Sequence, residues 1–335
     1  MGGQWSQLFP PKPHFTEKDL PSIAGRVFVV TGGYSGVGLE LARILYRHHG
    51  RVYIAGRSET KAREAIDDII RSATANTGSG CEENVGSLKF LHLDLSDLQT
   101  IKPAVQAFQS KEARLDVLFN NAGVAQPPLG SLSAQGHDLQ IATNCLGPFL
   151  LTQLLHPLLQ TTAREFPESS VRVVWLSSQA VDLISPKNGF SVQDIQGNPS
   201  SSSPMDPGLG YVISKLGNWY MSSEFARRYE NDKIISVAAN PGSGNTNLFR
   251  YSWWLPYLAW PVMYKAELLA NTILFAGLSG DITDSKNGCY VVPWGRINET
   301  PRQDLVDAIR PTTEGGLGKA TEFWDYCEEA TRDYM

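Results

Sequence analysis

Tyr211 and Lys215, in the run Y-V-I-S-K, stand four residues apart, which puts a phenol and an ammonium on one face of any helix that carries them. A phenol has an ordinary pKa of ~10 and is a sluggish acid-base group near neutrality unless a cation stabilises its phenolate. Reduction of a carbonyl is the kind of step such a pair would suit. The oxygen that gains negative charge there needs a hydrogen-bond donor and an acid that delivers a proton. A second Y-x-x-x-K exists, Tyr229 and Lys233 in Y-E-N-D-K, at the polar end of the same helical period and just before a strand. No serine at a strand end precedes it without the first pair intervening, so Tyr229 is read as a surface residue.

A second stretch could hold a phosphate. Thr31 to Gly38 reads T-G-G-Y-S-G-V-G, directly after the apolar run R-V-F-V-V and before L-E-L-A-R-I-L-Y-R. Such a turn, leaving a strand and opening a helix, aims backbone N-H groups and the positive helix end at a pyrophosphate. Gly32 permits the tight turn, Gly36 lets the chain approach the phosphates, and Gly38 allows the helix to pack closely on the strand. Tyr34, Ser35 and Val37 complete the cradle. A plain strand-to-helix turn is the alternative, since glycine clusters arise cheaply: Thr77 to Gly80 (T-G-S-G) and Gly315 to Gly318 (G-G-L-G) follow no strand.

The elements that must position these residues alternate along the chain. Strand-like runs occur at Val27 to Val30, Val52 to Ala55, Leu88 to Leu93, Leu115 to Phe119, Val171 to Leu176, Ile234 to Ala239 and Cys289 to Val292. Helical periods lie between them, at Gly36 to His49, Glu59 to Ser72, Leu98 to Gln109, Gln135 to Arg164, Tyr211 to Tyr229 and Lys265 to Leu278. Strands separated by helices of this length pair in parallel through right-handed crossovers. The expected fold is α/β, a doubly wound parallel seven-stranded Rossmann sheet with helices on both faces, in a single domain. Residues 72–87 and 198–207 read as surface loops. Residues 1–23 form an N-terminal extension, 24–295 the sheet domain, and 296–335 a C-terminal extension that packs on it.

Composition narrows the class. The 335 residues are 42% hydrophobic and 19% charged, with 29 basic and 34 acidic side chains giving a net charge of -5. No basic face for nucleic acid is suggested. Cys81, Cys145, Cys289 and Cys327 have no C-x-x-C spacing, so neither a metal site nor a disulfide framework is expected, and a reducing, cytoplasmic setting follows. The start M-G-G-Q-W-S has no secretory core, although it fits the pattern for myristoylation at Gly2. The longest apolar stretch, Trp253 to Tyr264, is shorter than the ~20 residues a membrane span takes, and Pro256 and Pro261 interrupt it.

The motifs, in order, resemble those of the short-chain dehydrogenase/reductase family over roughly residues 24 to 295. T-G-G-Y-S-G-V-G matches its first turn, and H-L-D-L-S-D at 92 to 97 its segment beside the adenine ring. N-N-A-G at 120 to 123 follows the fourth strand. Asn144, Ser178, Y-V-I-S-K and P-G-S-G-N-T from Pro241 to Thr246 come next. Within the family the chain is most similar to fungal reductases akin to retinol dehydrogenase. The resemblance implies Tyr211 as proton donor, Ser178 as second donor to the carbonyl, and Lys215 as the cation that lowers the tyrosine's pKa and holds the nicotinamide ribose. Asn144 would fix a water in the proton relay. The dinucleotide would touch Gly32, Tyr34, Ser35, Gly36, Val37, Gly38, Asp94, Leu95, Asn121, Ala122, Gly123, Pro241, Gly242 and Thr246. One departure is the long gap from Ser178 to Tyr211, which puts the geometry near the substrate in doubt.

NADP (NADPH) is the expected cofactor. An NAD site usually carries an acidic side chain at the end of the second strand, to accept the ribose hydroxyls. Here V-Y-I-A-G-R-S supplies Gly56 and then Arg57, whose guanidinium can pair with a 2'-phosphate. The alternative is that Arg57 merely caps a surface turn. Reduction of a ketone or aldehyde is then the expected direction. A lid at about 247–264, opening at Asn247 and Leu248, carries Trp253, Trp254, Tyr257 and Trp260. It would suit a bulky apolar or polycyclic substrate, rest on a membrane surface, or pack on the C-terminal extension. A catalytically silent dinucleotide-binding regulator and an NADPH-dependent cyclase remain alternatives, and a methyltransferase would not need N-N-A-G or Y-V-I-S-K.

Overall fold

A computed structural model describes residues 2–77, 86–167, 169–196, 204–244, 251 and 263–335. The strands are β1 (Val27–Thr31), β2 (Arg51–Gly56), β3 (Ser87–His92), β4 (Val117–Asn120), β5 (Val171–Leu176), β6 (Ile234–Ala239), β7 (Tyr290–Val292) and β8 (Arg296–Ile297). They form one sheet in the order β3-β2-β1-β4-β5-β6-β7-β8. All neighbours pair in parallel except β7 and β8, which are antiparallel. The sheet therefore has eight strands where seven were expected. Arg296 and Ile297 are too few to stand out as an apolar run, and a turn through Pro293–Gly295 folds them back onto β7.

The helices are α1 (Gly2–Leu8), α2 (Gly36–Arg47), α3 (Glu59–Thr77), α4 (Ile101–Gln109), α5 (Leu139–Ile141), α6 (Gly147–Glu165), α7 (Gln179–Ile184), α8 (Val192–Gln196), α9 (Pro207–Arg228), α10 (Ala266–Leu278), α11 (Gln303–Ile309) and α12 (Lys319–Thr331). Period-two alternation divides each strand between two cores. Val27 and Val29 face the layer of α4, α6, α9 and α12, while Phe28 and Val30 face α2, α3 and α10. Helices thus cover both faces, as strands apolar on both sides require.

Two expectations change. The stretch from Ser72 to Thr77 continues α3 rather than opening a loop, while residues 78–85 lie outside the described residues. The period read from Gln135 to Arg164 starts later, at α5, where Asp138 caps the helix by accepting from the backbone N-H groups of Gln140 and Ile141. It then passes through a π-helical turn, Ala142–Leu146, before α6.

The amino end of the sheet is tied by charge. Arg172 is buried, and burial pulls its guanidinium down to about 10 while it donates to the carbonyls of Ala276, Ser279 and Ile282. Those bonds hold the end of α10 against β5. Asp116, also buried, accepts from Arg26, Arg114 and the Val27 backbone. The opposite, carboxyl edge is left for the site.

Candidate active site

The first turn has the backbone geometry that a phosphate cradle requires. Gly32 and Gly36 adopt positive φ (66° and 55°), which glycine takes without strain. Ser35 precedes α2 in an extended conformation and makes no side-chain capping bond, and α2 has no acid in its first turn. The first-turn N-H groups are therefore available to an outside anion. Gly38 serves a different neighbour from the one expected: a Cβ there would lie 2.4 Å from Asn121 Nδ2 and 2.8 Å from the Gly32 carbonyl oxygen. Its missing side chain lets α2 close on the N-N-A-G segment and on its own turn.

Thr31 joins those two pieces. Its hydroxyl donates to the Phe119 carbonyl and accepts from the backbone N-H groups of Asn121 and Ala122, while Asn121 Nδ2 donates to the Thr31 carbonyl at 2.8 Å. The turn after β1 and the segment after β4 are thus one unit, at the crevice where the strand order reverses. Ala122 and Gly123 are half-buried beside it, and a Cβ on Gly123 would lie 3.2 Å from Lys215 Nζ and 3.3 Å from Asn144 Oδ1. Asp94 turns its carboxylate onto Ser96, and Leu95 is buried where Gly147 passes close to its backbone. Pro241 and Gly242 follow β6, with the Gly242 N-H donating to Asn240 Oδ1. Thr246, Asn247, Leu248 and the four lid aromatics lie outside the described residues.

At the end of β2, Gly56 is packed under an aromatic ring. A Cβ there would stand 2.2 Å from Tyr34 Cε1, so the Tyr34 ring occupies the place an acidic residue would need. Arg57, the next residue, is exposed. No carboxylate stands at the end of β2: the position is Gly56 under the Tyr34 ring, followed by the exposed guanidinium of Arg57.

The chemistry-bearing side chains meet at the ends of β4, β5 and along α9. Ser178 caps α7, its Oγ accepting from the Ala180 N-H at 3.2 Å. Tyr211 Oη donates to the same Oγ at 3.2 Å. Burial pushes the Tyr211 hydroxyl above the ordinary phenol value, and the bond to Ser178 opposes that shift. Lys215 is buried, its Nζ donating to the Leu176 carbonyl at 2.9 Å and standing 6.0 Å from the centre of the Tyr211 ring. Burial pulls its ammonium down to about 8. In this arrangement burial, not the ammonium, dominates the acidity of Tyr211.

Asn144 sits in the π-helical turn, where its Nδ2 donates to the Val124 carbonyl and to Ser214 Oγ and its Oδ1 accepts from the Val124 N-H. The amide is spent on clasping the strand-end loop to α9. Ser214, inside Y-V-I-S-K, and Thr31 escaped the sequence reading, although both lie in motifs it quoted. Tyr229 is not a surface residue: its ring packs on His156, Phe225 and Trp324, and its hydroxyl donates to Gln153. That contact set makes it a half-buried packing residue at the C-cap of α9.

The profile of the short chain dehydrogenase family matches residues 26–188. A short-chain dehydrogenase/reductase of Phomopsis amygdali is 43% identical over 99% of this chain and 97% of its own. The chain belongs to the short-chain dehydrogenase/reductase family. Another member, the short-chain dehydrogenase/reductase iacJ of Pestalotiopsis fici, is 39% identical over 99% of this chain and 98% of its own. A crystal structure of a Mycobacterium paratuberculosis protein superposes with a TM-score of 0.66 at 29% identity, covering 95% of this short-chain dehydrogenase/reductase and 97% of the mycobacterial chain. The protein is thus an oxidoreductase on a fold that binds NAD(P)(H). No helix among its described residues is long and apolar enough to cross a membrane.

Proposed function

We propose that this short-chain dehydrogenase/reductase uses NADPH to reduce a ketone or aldehyde, and in reverse oxidises the alcohol, on a bulky apolar or polycyclic substrate. The observation that carries the reading is the direct bond between Tyr211 Oη and Ser178 Oγ, two hydroxyls at one point of the sheet's carboxyl edge. A carbonyl oxygen placed against both would receive two hydrogen bonds, which strengthen as negative charge builds on it. A nicotinamide held in the crevice would supply the hydride.

Tyr211 then gives its proton to the substrate oxygen. Its raised pKa keeps it protonated at neutrality, so it is poised as an acid for reduction. Lys215, close enough to feel the ring, stabilises the phenolate left behind and would bind the nicotinamide ribose. Asn144 holds the loop and α9 at a fixed separation; a water in the proton relay would be met by its backbone, since the side-chain amide is engaged. The Thr31–Gly38 turn, Asn121–Gly123, Pro241, Gly242 and Thr246 would hold the dinucleotide, with Arg57 on the 2'-phosphate. A cytoplasmic enzyme is our reading of the location.

NADPH consumption across a panel of bulky and small ketones and aldehydes tests the assignment. Turnover that favours bulky carbonyls is expected. Tight NADPH binding with no turnover on any of them would support a silent regulator instead.

A further inference from the structure

Two short helices at the carboxyl edge of the sheet turn polar side chains inward and apolar ones out. In α1, Gln7 is buried and its Oε1 accepts from Asn240 Nδ2 at 3.0 Å, whereas Trp5 is 66% exposed and Phe9, just past the helix, 47%. In α7, Gln179 and Asp182 are buried, Gln179 Oε1 accepting from Ser243 Oγ at 2.8 Å and Asp182 from Tyr290 Oη at 3.3 Å. Leu183 and Ile184 of the same helix are 43% and 67% exposed. α1 packs against α7, so the four apolar side chains lie on neighbouring elements. Ser178 caps α7, which leaves Ile184 within about two helical turns of the Tyr211–Ser178 pair.

Single exposed apolar side chains are ordinary on a protein surface. Here two adjacent helices are fixed with their apolar residues toward water. Tyr264 Oη donates to the Leu8 carbonyl at 3.0 Å and Arg296 Nη2 to the Ser6 carbonyl at 2.8 Å, so α1 is seated on the domain and still presents its tryptophan outward. The Trp5 ring leans on Phe9, with centres 5.1 Å apart. An indole joins a large apolar body to a polar N-H, the combination that settles at a membrane-water boundary. No helix among the described residues is long and apolar enough to cross a bilayer, so contact would be by side chains entering its surface.

Charge beside this face has the matching sign. Lys12 stands three residues past Phe9 and Lys187 three past Ile184; both are exposed, and neither has an ion-pair partner among the described residues. The acids near them are engaged. Glu17 holds Arg47, Asp19 accepts from the Thr16 N-H, and Asp304, which accepts from the Asn188 N-H beside Lys187, is paired with Arg302. The chain as a whole carries -5, which opposes an anionic surface. At physiological ionic strength charges more than ~8 Å away are largely screened, so the lysines at the contact outweigh the distant acids.

We propose that Trp5, Phe9, Leu183 and Ile184, flanked by Lys12 and Lys187, dock the protein on an anionic lipid bilayer. The apolar side chains enter the headgroup boundary, and the two ammonium groups meet lipid anions at its edge. Docking is read without turnover, so its outcome is independent of the catalytic reading.

The test mixes purified full-length protein with vesicles of phosphatidylcholine, alone or with phosphatidylserine added, and measures the bound fraction by flotation. Wild type should bind the vesicles containing phosphatidylserine and bind phosphatidylcholine alone less well. Trp5→Ala with Phe9→Ala should weaken binding at least about tenfold, and Ile184→Ser should weaken it in the same direction. Lys12→Gln with Lys187→Gln should remove the preference for phosphatidylserine, as should raised salt, while the weaker binding to phosphatidylcholine stays. The variants should keep the wild-type denaturation midpoint, because the replaced side chains are exposed. Should the aromatic variant fold poorly, the lysine variant decides. A wild type that floats with neither vesicle overturns the proposal, and so does binding that none of these substitutions changes. A wild-type dimer in sedimentation that Trp5→Ala with Phe9→Ala converts to monomer also overturns it, since the face then belongs to a second copy of the chain.

Discussion

At the residue scale, the proposed preference for NADPH rests on Gly56 and Arg57, and the Tyr34 ring alters how such a preference could be reversed. Placing an acid at Gly56 ought to accept the ribose hydroxyls and repel a 2'-phosphate. The Tyr34 ring stands in the way, however, 2.2 Å from where the new Cβ would sit. Gly56→Asp alone should therefore weaken both cofactors, and Gly56→Asp with Tyr34→Ser should bind NADH better than NADPH; titration of both dinucleotides against each variant checks this. Arg57→Ala should weaken NADPH roughly tenfold, the low end for a charge-assisted bond because the guanidinium is exposed, and leave NADH unmoved. Equal loss for both would remove Arg57 from the phosphate.

Lys215 carries a pH prediction. Its ammonium titrates at about 8, lowered by burial, so the fraction charged falls as pH rises through that value. If the cation serves both the tyrosine and the ribose, kcat/KM in the reducing direction should decline above pH of about 8, where the free enzyme's essential groups are reported. NADPH affinity should weaken over the same range. A flat profile up to ~10, where an ordinary phenol would titrate, would show that the charge is dispensable.

At the scale of elements, α9 matters most, because it bears Tyr211 and Lys215 on its inner face and receives the C-terminal helix α12 on another. Trp324 and Phe323 are fully buried in that contact, with Trp324 edge-on to Phe149 at 4.9 Å. Trp324→Ala should cost ~3–5 kcal/mol, read as a shift in denaturation midpoint with unchanged slope. Much of this architecture was legible in the sequence. Long apolar strands and helix periods are local signals, and all seven expected strands are present within one or two residues. The eighth was not, since two residues carry no period. Nor was the π-helical turn at Asn144, which depends on bonds to Val124 and Ser214 that no local pattern encodes.

At the scale of the whole molecule, the Tyr211–Ser178 hydroxyl pair and the crevice proposed for the cofactor lie at the carboxyl edge of the sheet, with charge buried at the other edge to hold the strands. The proposed function turns on Tyr211 as the acid. The most direct measurement is single-turnover oxidation of bound NADPH by a carbonyl substrate in wild type and in Tyr211→Phe, with NADPH affinity measured on the same preparations. The variant should bind NADPH as the wild type does and lose the turnover rate by several orders of magnitude, because the ring remains and the transferable proton does not. A Tyr211→Phe enzyme that oxidises NADPH at a rate near wild type would contradict it.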